Sequence, residues 1–380
     1  MSVIDFPLKV HFSDPQAYYD IYGMGKKMSK WAAFYDCFYE EESSFGLTDP
    51  KLAKKRRDIL LPLFSRRAIL KLENLIQHSA SFLSSNSISY FSICIQIDRL
   101  ITALGPYAES GRVADLHLGL HSTTVEIITS YCHANTVRCL DDPNFRHPAL
   151  MAIMDTNGLF FWIQHFPFLA PFIFHMPDFL KTPAMLAAAK LSRRIAKQVD
   201  GLLADPSSLE QVEHETIYHH LLNTENGREP PTRKSLLDEG GVLIAAGSDS
   251  VGNACSVGIF QILSNPSIRE RLVKELREAW PEKDAPMGVQ ALEKLPYLVS
   301  VRTYVTADTN YTSTKTAVIK EALRFSHGVV SPLPRVTQAE SLIAGHLVPA
   351  GVGLLFIFFT RSPDIIASSD YRCNGQYVHA

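Results

Sequence analysis

The sequence of 380 residues predicts a mainly α-helical fold with a small β part. The main observation is a long stretch from Thr232 to Leu263, which follows a Pro-Pro pair and ends shortly before Pro266. Threonine is a good helix cap and proline cannot continue a helix, so this stretch is predicted to be one long helix. Because it is apolar or small on every side, the helix is predicted to be buried in a large protein.

Further helices are predicted on both sides of the long helix, and extended runs near the C-terminus. The segments 117–140 and 182–203 read as helices with one inward face, and Pro266 begins another. The tail alternates turns with the short extended runs PLPRV, SLIAGHLVPAG and VGLLFIFF. Many helices followed by one small sheet is the order expected of an α-rich protein with a minor β part.

Composition and charge restrict the classes of function. The chain has 46% hydrophobic and 20% charged residues, which is the balance of a globular protein with a substantial core. Its formal net charge of -2 gives no overall electrostatic reason to bind nucleic acid or an anionic membrane. The six cysteines lack CxxC or Cys/His ligand spacing, so free thiols in a reducing compartment and no metal-ligand set are predicted.

No segment of this chain is predicted to cross a membrane. The N-terminal segment lacks the apolar core of a signal peptide. Residues 158–176 approach the ~20-residue length that crosses a bilayer, but Pro167 and Pro171 interrupt them. The sequence therefore predicts a buried or interfacial helix that breaks at Pro167.

The middle of the long helix contains Ala246, Gly247, Ser248, Asp249 and Ser250. An acid and an alcohol in an apolar wall are costly unless they have partners or a task. In one interpretation, local backbone bonds satisfy Asp249 and Ser250, and Gly247 only allows close packing. In the other, the helix lies beside a ligand, Gly247 lets a flat group approach, and Asp249 and Ser250 relay protons.

A basic cluster, Lys54 to Arg57, precedes an apolar stripe of the next predicted helix. Such a cluster is usually a solvated helix face. The alternative is that one arginine turns inward to a carboxylate of a bound cofactor, which the forked guanidinium suits.

An ordered set of motifs surrounds Glu321 and Arg324. These two residues stand at i and i+3 of a predicted helix, so they can form a charge-assisted pair. They are followed by Pro-Leu-Pro-Arg335 and by residues 345–351, and they are preceded by AAGSDS and LEKLPYL. The set resembles the cytochrome P450 family. The residues of its motifs are most similar to those of fungal P450s of secondary metabolism, including the trichodiene-oxygenase type.

The resemblance implies the P450 helical fold and a set of site residues. Ala246 and Gly247 match the oxygen-binding groove of the family's long central helix. Asp249 and Ser250 take the places of the acid and the alcohol that deliver protons there. The remaining matches are the structural ExxR pair, Glu321 and Arg324, and the two arginines that reach haem propionates, Arg57 and Arg335.

The resemblance also implies an activity, a cofactor and partners. It implies a haem-thiolate monooxygenase that hydroxylates or epoxidises an apolar metabolite, with a terpenoid as one candidate. The cofactor is haem, and the electrons come from NADPH through a cytochrome P450 reductase. The family location is the cytosolic face of the endoplasmic reticulum membrane. The substrate pocket is expected near Phe160, Phe161 and Trp162 and beside the helix wall near Ile244.

The sequence departs from the family pattern at the haem ligand. The family's cysteine lies in a loop F-x-x-G-x-R-x-C-x-G, which this sequence does not contain. Cys373 imitates the end of that loop, but Ile366, Ser369 and Tyr371 occupy the Phe, Gly and Arg places. The alternative hypothesis is therefore a P450-fold fragment or pseudoenzyme without haem.

The whole chain, residues 1–380, is expected to be one partial P450 domain. It is expected to lack the N-terminal anchor of the family, which gives this chain a cytoplasmic location, and to lack the haem-cysteine loop. Residues 78–96 and 299–316 interrupt well-matched sequence and are rich in serine and threonine. They are predicted to be insertions, in the form of translated introns.

Overall fold

The structure is a computed structural model. It describes residues 3–4, 9–23, 25–26, 28–68, 70, 93–212, 214–224, 228–282, 287–299, 318–326 and 333–356. Most of the two predicted insertions, residues 78–92 and 300–316, lies outside the described residues, and so does Cys373.

Helices make up most of the described chain, which confirms the predicted mainly α-helical fold. The α-helices are α1 Pro15–Tyr22, α2 Ala32–Tyr35, α3 Pro50–Leu60, α4 Ile93–Ser110, α5 Leu116–His133, α6 Pro148–His165, α7 Leu169–Phe174, α8 Pro183–Ala204, α9 Ile217–Leu222, α10 Arg233–Ser264, α11 Pro266–Ala279, α12 Val289–Leu292, α13 Pro296–Val299 and α14 Val318–Ser326. Helix α4 begins inside the first predicted insertion, and Gln96 in its first turns is buried.

The strands are short and lie at the two ends of the sequence. They are β1 Val3–Ile4, β2 Lys9–Phe12, β3 Met28–Lys30, β4 Arg335–Thr337, β5 Ser341–Ile343, β6 His346–Val348 and β7 Gly353–Phe356. The chain divides into two compact units, the first of residues 1–58, 158–175 and 329–380 and the second of residues 59–157 and 176–328.

The first unit contains the β part. Its main sheet has the order β1-β2-β7-β4-β3, in which β2 and β7 are parallel and the other pairs antiparallel. Strands β5 and β6 form a separate antiparallel pair. Phe12, Ile21, Ile343 and Leu354 are buried in one cluster that joins these strands to α1. The predicted sheet in the tail is confirmed, but it also takes three strands from the N-terminal region.

The second unit is a helical body arranged around α10. This helix packs against α5, α14 and α8. One apolar cluster includes Tyr131, Val199 and Leu236, and a second includes Leu118, Val125 and Phe145. Ile244, which was expected near the wall of a substrate pocket, is only 4% exposed and belongs to the first cluster. Ile244 itself therefore faces the packed helices of this unit, and the pocket wall near it stays a prediction.

The ends of α10 confirm the predicted long helix. The hydroxyl of Thr232 accepts a hydrogen bond from the amide of Ser235 at 2.9 Å, as a helix cap does. The helix runs to Ser264, and Pro266 begins α11. Among the described residues, α10 is the one helix long and apolar enough to cross a bilayer. Core helices of water-soluble proteins have the same length and composition, so this property alone assigns no membrane span.

The aromatic segment breaks where the sequence predicted. Helix α6 ends at His165, Pro167 lies in a turn, and α7 begins at Leu169. The predicted helix 117–140 is shorter than expected, because α5 ends at His133 and Ala134 takes a left-handed conformation with φ of 48°. Such a residue ends a helix by turning the chain away from its axis.

Candidate functional site

Two glycines hold the middle of α10 close to α5. A Cβ atom added to Gly247 would lie 2.5 Å from Cγ1 of Ile128, and one added to Gly252 would lie 2.7 Å from Cγ of His121. The hydroxyl of Thr124 donates to the carbonyl of Ser248 at 2.8 Å across the same interface. Gly247 therefore allows the two helices to approach, which is the packing interpretation of this glycine.

The opposite side of α10 is not covered by the described residues and carries small side chains. Ala246 is exposed, and Ser250 is partly exposed. The hydroxyl of Ser250 donates to the carbonyl of Ala246 at 2.7 Å, which is a local backbone bond of the kind one interpretation predicted. Because Ala246 ends at a methyl group, a flat ligand can approach this side of α10 closely.

Asp249 connects the two sides of the helix. Its carboxylate lies 3.6 Å from Nε2 of His121 on α5, and its side chain is 42% exposed whereas that of His121 is 2% exposed. Nδ1 of His121 lies 2.9 Å from the carbonyl oxygen of His117. A carbonyl oxygen can only accept, so Nδ1 carries the hydrogen in this bond. Nε2 is therefore the atom that faces the carboxylate.

A second histidine lies one turn earlier on α5. The rings of His117 and His121 are 4.2 Å apart between centroids. Nδ1 of His117 lies 3.2 Å from Oγ of Ser256, whose own hydroxyl hydrogen is donated to the carbonyl of Gly252 at 2.8 Å. Burial lowers the pKa of His117, and the neighbouring His121 lowers it further, while Asp115 and Asp249 act in the opposite direction.

Glu321 and Arg324 form the expected pair on α14. Nε of Arg324 donates to Oε2 of Glu321 at 2.7 Å, and both side chains are partly exposed. Helix α14 packs directly on α10, because Nδ2 of Asn253 donates to the carbonyl of Ser326 at 2.6 Å. A Cβ atom on Gly258 would also lie only 2.9 Å from that of Ala322. The ion pair therefore lies on a helix held against the candidate site.

The two predicted propionate-binding arginines belong to the first unit. Nη1 of Arg335 donates to the hydroxyl of Tyr35 at 2.6 Å, and its guanidinium lies 5.2 Å from the ring centre of Tyr22. Burial raises the pKa of Tyr22 to about 12, although the cation of Arg335 opposes this shift. Arg57 is exposed in the last turn of α3. The structure thus gathers Ala246, Gly247, Asp249 and Ser250 on one helix and describes the arginines in a separate unit.

The described residues fit one side of a haem site. The open face of α10 with its small side chains suits a flat macrocycle, and Asp249 and Ser250 border that face. No group of three or more His, Cys, Asp or Glu side chains in the described ranges could hold a metal ion. Burial raises the pKa of the Cys132 thiol to about 12 and those of Cys37 and Cys139 as well. The thiolate is the form that ligates iron, so these buried thiols are unsuited to that role.

Sequence reasoning missed the α5 side of this site. His117 and His121 are four residues apart on one predicted helix, and such spacing places two side chains on one helix face. Gly252 also follows Gly247 by five residues. These were the available signals, but neither indicates which carboxylate they meet.

Comparison with known proteins assigns most of the chain to one group. A family model described as Cytochrome P450 matches residues 12–302. The cytochrome P450 monooxygenase flvC of Aspergillus flavus is 27% identical over 96% of this chain and 62% of the relative. The N-acetyltryptophan 6-hydroxylase ivoC of Emericella nidulans is 26% identical over 94% of this chain and 65% of the relative. The tryptophan 6-hydroxylase fscE of Fusarium equiseti is 27% identical, with the same two shares. The chain spans about three fifths of the length of the curated relatives it matches.

Proposed function

We propose that this chain, which belongs to the cytochrome P450 family, acts as a haem-thiolate monooxygenase on an apolar small molecule. The reaction is a hydroxylation or epoxidation that uses O2 and electrons from NADPH, supplied through a cytochrome P450 reductase. The observation that carries the proposal is the acid and alcohol of α10 beside an open, small-residue face, within a chain matched by the family over residues 12–302. As in the family, the site of action is the cytosolic face of the endoplasmic reticulum membrane.

The chain's own residues have separate tasks in this proposal. When bound, haem with a thiolate ligand supplies the activation of O2. Ala246 would leave room for its flat face, and Arg57 and Arg335 would bind its propionates, as the family resemblance implies. Asp249 and Ser250 pass protons from solvent to the open face of α10, since one is partly exposed and the other carries a hydroxyl on that side. Glu321 and Arg324 stabilise α14 against α10.

The substrate class is apolar and compact. Two relatives are named as hydroxylases of tryptophan and of N-acetyltryptophan. The candidate substrates of this chain are therefore of two kinds, a terpenoid or a molecule with an aromatic ring system. Both kinds of molecule carry large apolar surfaces, which suit a pocket lined by hydrophobic and aromatic side chains.

An absorbance spectrum of the purified chain tests the monooxygenase proposal. After reduction and addition of CO, a band of the thiolate type supports it. The matched control is Cys373→Ser. Loss of the band in this variant identifies Cys373 as the ligand, and its persistence assigns the ligand to another cysteine. A chain that binds no haem when supplied with it contradicts the proposal.

The second candidate function is a P450-fold protein without haem. The observation that favours it is that Ile366, Ser369 and Tyr371 stand before Cys373 at the places where the family loop has Phe, Gly and Arg. Such a protein could bind an apolar ligand without oxidising it. Absence of haem binding together with saturable binding of an apolar probe supports this candidate.

The proton-delivery residues have their own test. In haem-loaded protein, Asp249→Asn and Ser250→Ala are expected to slow turnover and to separate oxygen consumption from product formation. Ser248→Ala is the matched control, because the hydroxyl of Ser248 is buried and donates to the carbonyl of Ile244 at 2.7 Å. Unchanged coupling in both test variants removes these two residues from the proton route.

That residues 78–96 and 299–316 are translated introns is also a proposal. We expect the mature transcript to lack the codons of residues 78–96 and 299–316 if they are translated introns. Sequencing the transcript across both segments and past Arg372 decides this. Genomic sequence without splice-site consensus at the four junctions contradicts it.

A further inference from the structure

The contact between His121 and Asp249 is built by the packing of two helices. Thr124 bonds to the carbonyl of Ser248, and Gly252 leaves the space that the imidazole of His121 occupies. Because a Cβ atom on residue 252 would lie 2.7 Å from Cγ of this ring, no other residue type fits there without a shift. The bond from Nδ1 to the carbonyl of His117 then fixes the orientation of the ring.

In this orientation, the pair of His121 and Asp249 favours one additional proton. With its hydrogen on Nδ1, a neutral imidazole presents the lone pair of Nε2 to the carboxylate of Asp249 at 3.6 Å. Two acceptors that face each other repel, so one additional proton between them is favourable. It resides on Nε2 of His121 or on the carboxyl group of Asp249. The ring of His121 is buried and the carboxylate is partly exposed, so the proton can leave only on the Asp249 side.

We infer that His121 is a positioning residue for Asp249 and that the two form a carboxyl–imidazole pair that stores one proton beside the open face of α10. In the delivery step, Asp249 takes the proton from Nε2 of His121, which leaves a neutral imidazole with its hydrogen on Nδ1. The carboxylic acid then releases that proton toward the open face and becomes a carboxylate again. A proton from solvent returns to the pair through Asp249.

Among the described residues, helix α5 carries further titratable groups around His121. The ring of His117 lies beside that of His121 at an interplanar angle of 52°, and Asp115 caps the start of the helix and lies 3.8 Å from Arg146. Glu126 on the same helix is bonded to Arg99 and to the amide of Leu140. Because like charges repel, a proton on His121 disfavours a charge on the neighbouring ring of His117.

The existence of the pair is inferred from geometry alone, and its role in proton delivery rests on the proposed monooxygenase function.

The direct test is nitrogen NMR of the histidine rings in the full chain labelled with 15N-histidine, at about pH 6, near the ordinary histidine range. In the wild type, both ring nitrogens of His121 are expected to carry hydrogen. In Asp249→Asn, the amide of the new side chain can donate to Nε2, so only Nδ1 is expected to remain protonated.

His165 and His175 are the internal controls. Each ring bonds through Nδ1 to a carbonyl four residues earlier, at 2.8 Å and 2.9 Å, as His121 does, and both residues are exposed. Their spectra are expected to be the same in the wild type and in Asp249→Asn. Identical His121 spectra in the two proteins overturn the inference. If Asp249→Asn does not fold, Asp249→Ser serves in its place, because it also removes the charge.

A double-mutant cycle gives a second, independent readout. His121→Gln and Asp249→Asn are compared with the double variant by urea unfolding. We expect the double variant to be as stable as one of the single variants, and simple additivity of the two changes overturns the pair. In haem-loaded protein, His121→Gln is expected to lower coupling several-fold, as Asp249→Asn does, and the double variant to be no worse.

The failures of the two proposals are distinguishable. If the chain binds no haem, the monooxygenase function fails, and the ring spectra and the cycle still decide whether the pair exists. If haem binds and the His121 spectrum is the same in the wild type and in Asp249→Asn, the proposed pair is contradicted. The monooxygenase function is then unaffected.

Discussion

Two buried histidines on α5 meet α10 in the same way and have different surroundings. His121 is 1% exposed and packs on Gly252, while His133 is 2% exposed and packs on Gly240. His121 faces the carboxylate of Asp249. Among the described residues, the ring of His133 meets a hydroxyl and not a carboxylate: its Nδ1 lies 3.1 Å from the hydroxyl of Tyr218.

The difference shows what separates a functional candidate from a structural residue on this interface. Burial and glycine packing are common to both histidines, so neither property indicates function. Burial lowers the pKa of His133 to about 4, and the backbone of Gly240 opposes only part of that shift. His133 is therefore a neutral core residue at ordinary pH, whereas His121 has a partner that can share a proton with it.

The largest expected effect concerns His133 and pH. Its folded-state pKa of about 4 lies below the ordinary value of 6.5, so between these values the unfolded chain binds more protons than the folded one. Stability is therefore expected to fall as pH falls through this window, by about 3 kcal/mol, with no further loss below it. Urea unfolding at a series of pH values measures this. His133→Gln is expected to remove this component of the pH dependence.

The second effect concerns the two glycines. Gly252→Ala is expected to lower the free energy of unfolding by about 1–3 kcal/mol, because its Cβ meets the ring of His121 at 2.7 Å. Gly240→Ala is expected to cost less, since the nearest atom of His133 lies 3.0 Å away. The control is Gly201→Ala on α8, where an added Cβ would meet none of the described atoms within 4 Å beyond its own helix turn, and a gain of about 0.5–1 kcal/mol is expected. Equal costs at all three positions contradict the packing argument.

A smaller effect is expected at the ion pair of α14. Glu321 and Arg324 are 32% and 44% exposed, and solvent weakens a pair of this kind. Arg324→Gln is therefore expected to lower the stability of the haem-free chain by at most about 1 kcal/mol. Thermal unfolding with Lys274→Gln as the exposed-pair control measures this. A loss several times larger shows that the pair stabilises more of the fold than its exposure indicates.

The smallest effect on stability is expected at Asp249. Its side chain is 42% exposed, so Asp249→Asn is expected to change the free energy of unfolding at neutral pH by about 0.5 kcal/mol or less. Urea unfolding beside the Gly252→Ala variant gives the comparison. A large stability loss would show that Asp249 has a structural role, as His133 has. The two histidines would then no longer differ in the kind of role they have.

Local signals predicted the elements well. The bounds of α10 followed from the cap at Thr232 and from Pro266, and the break between α6 and α7 followed from Pro167, because capping and proline effects act within a turn of the chain. The pair of Glu321 and Arg324 followed from i,i+3 spacing alone. The predicted roles of Asp249, Ser250 and the arginines came from the family resemblance and stay predictions.

Contacts between distant segments were not predictable in the same way. His121 and Asp249 are far apart in sequence, and only the packing of α5 on α10 brings them together. The burial of Ile244 likewise depends on which side of α10 its neighbours cover. An apolar helix without a polar face gives no periodic signal for that side, so the sequence left it open.

The parallel pairing of β2 with β7 has a consequence for the synthesis of the protein. His11 aligns with Leu355, so β2 leaves the ribosome about 340 residues before its partner strand exists. At roughly 5–20 residues per second, this interval lasts from about 20 seconds to about a minute. During that time the edge of β2 is open to wrong partners, so early chaperone binding near residues 9–12 is expected to govern how much of the chain folds correctly.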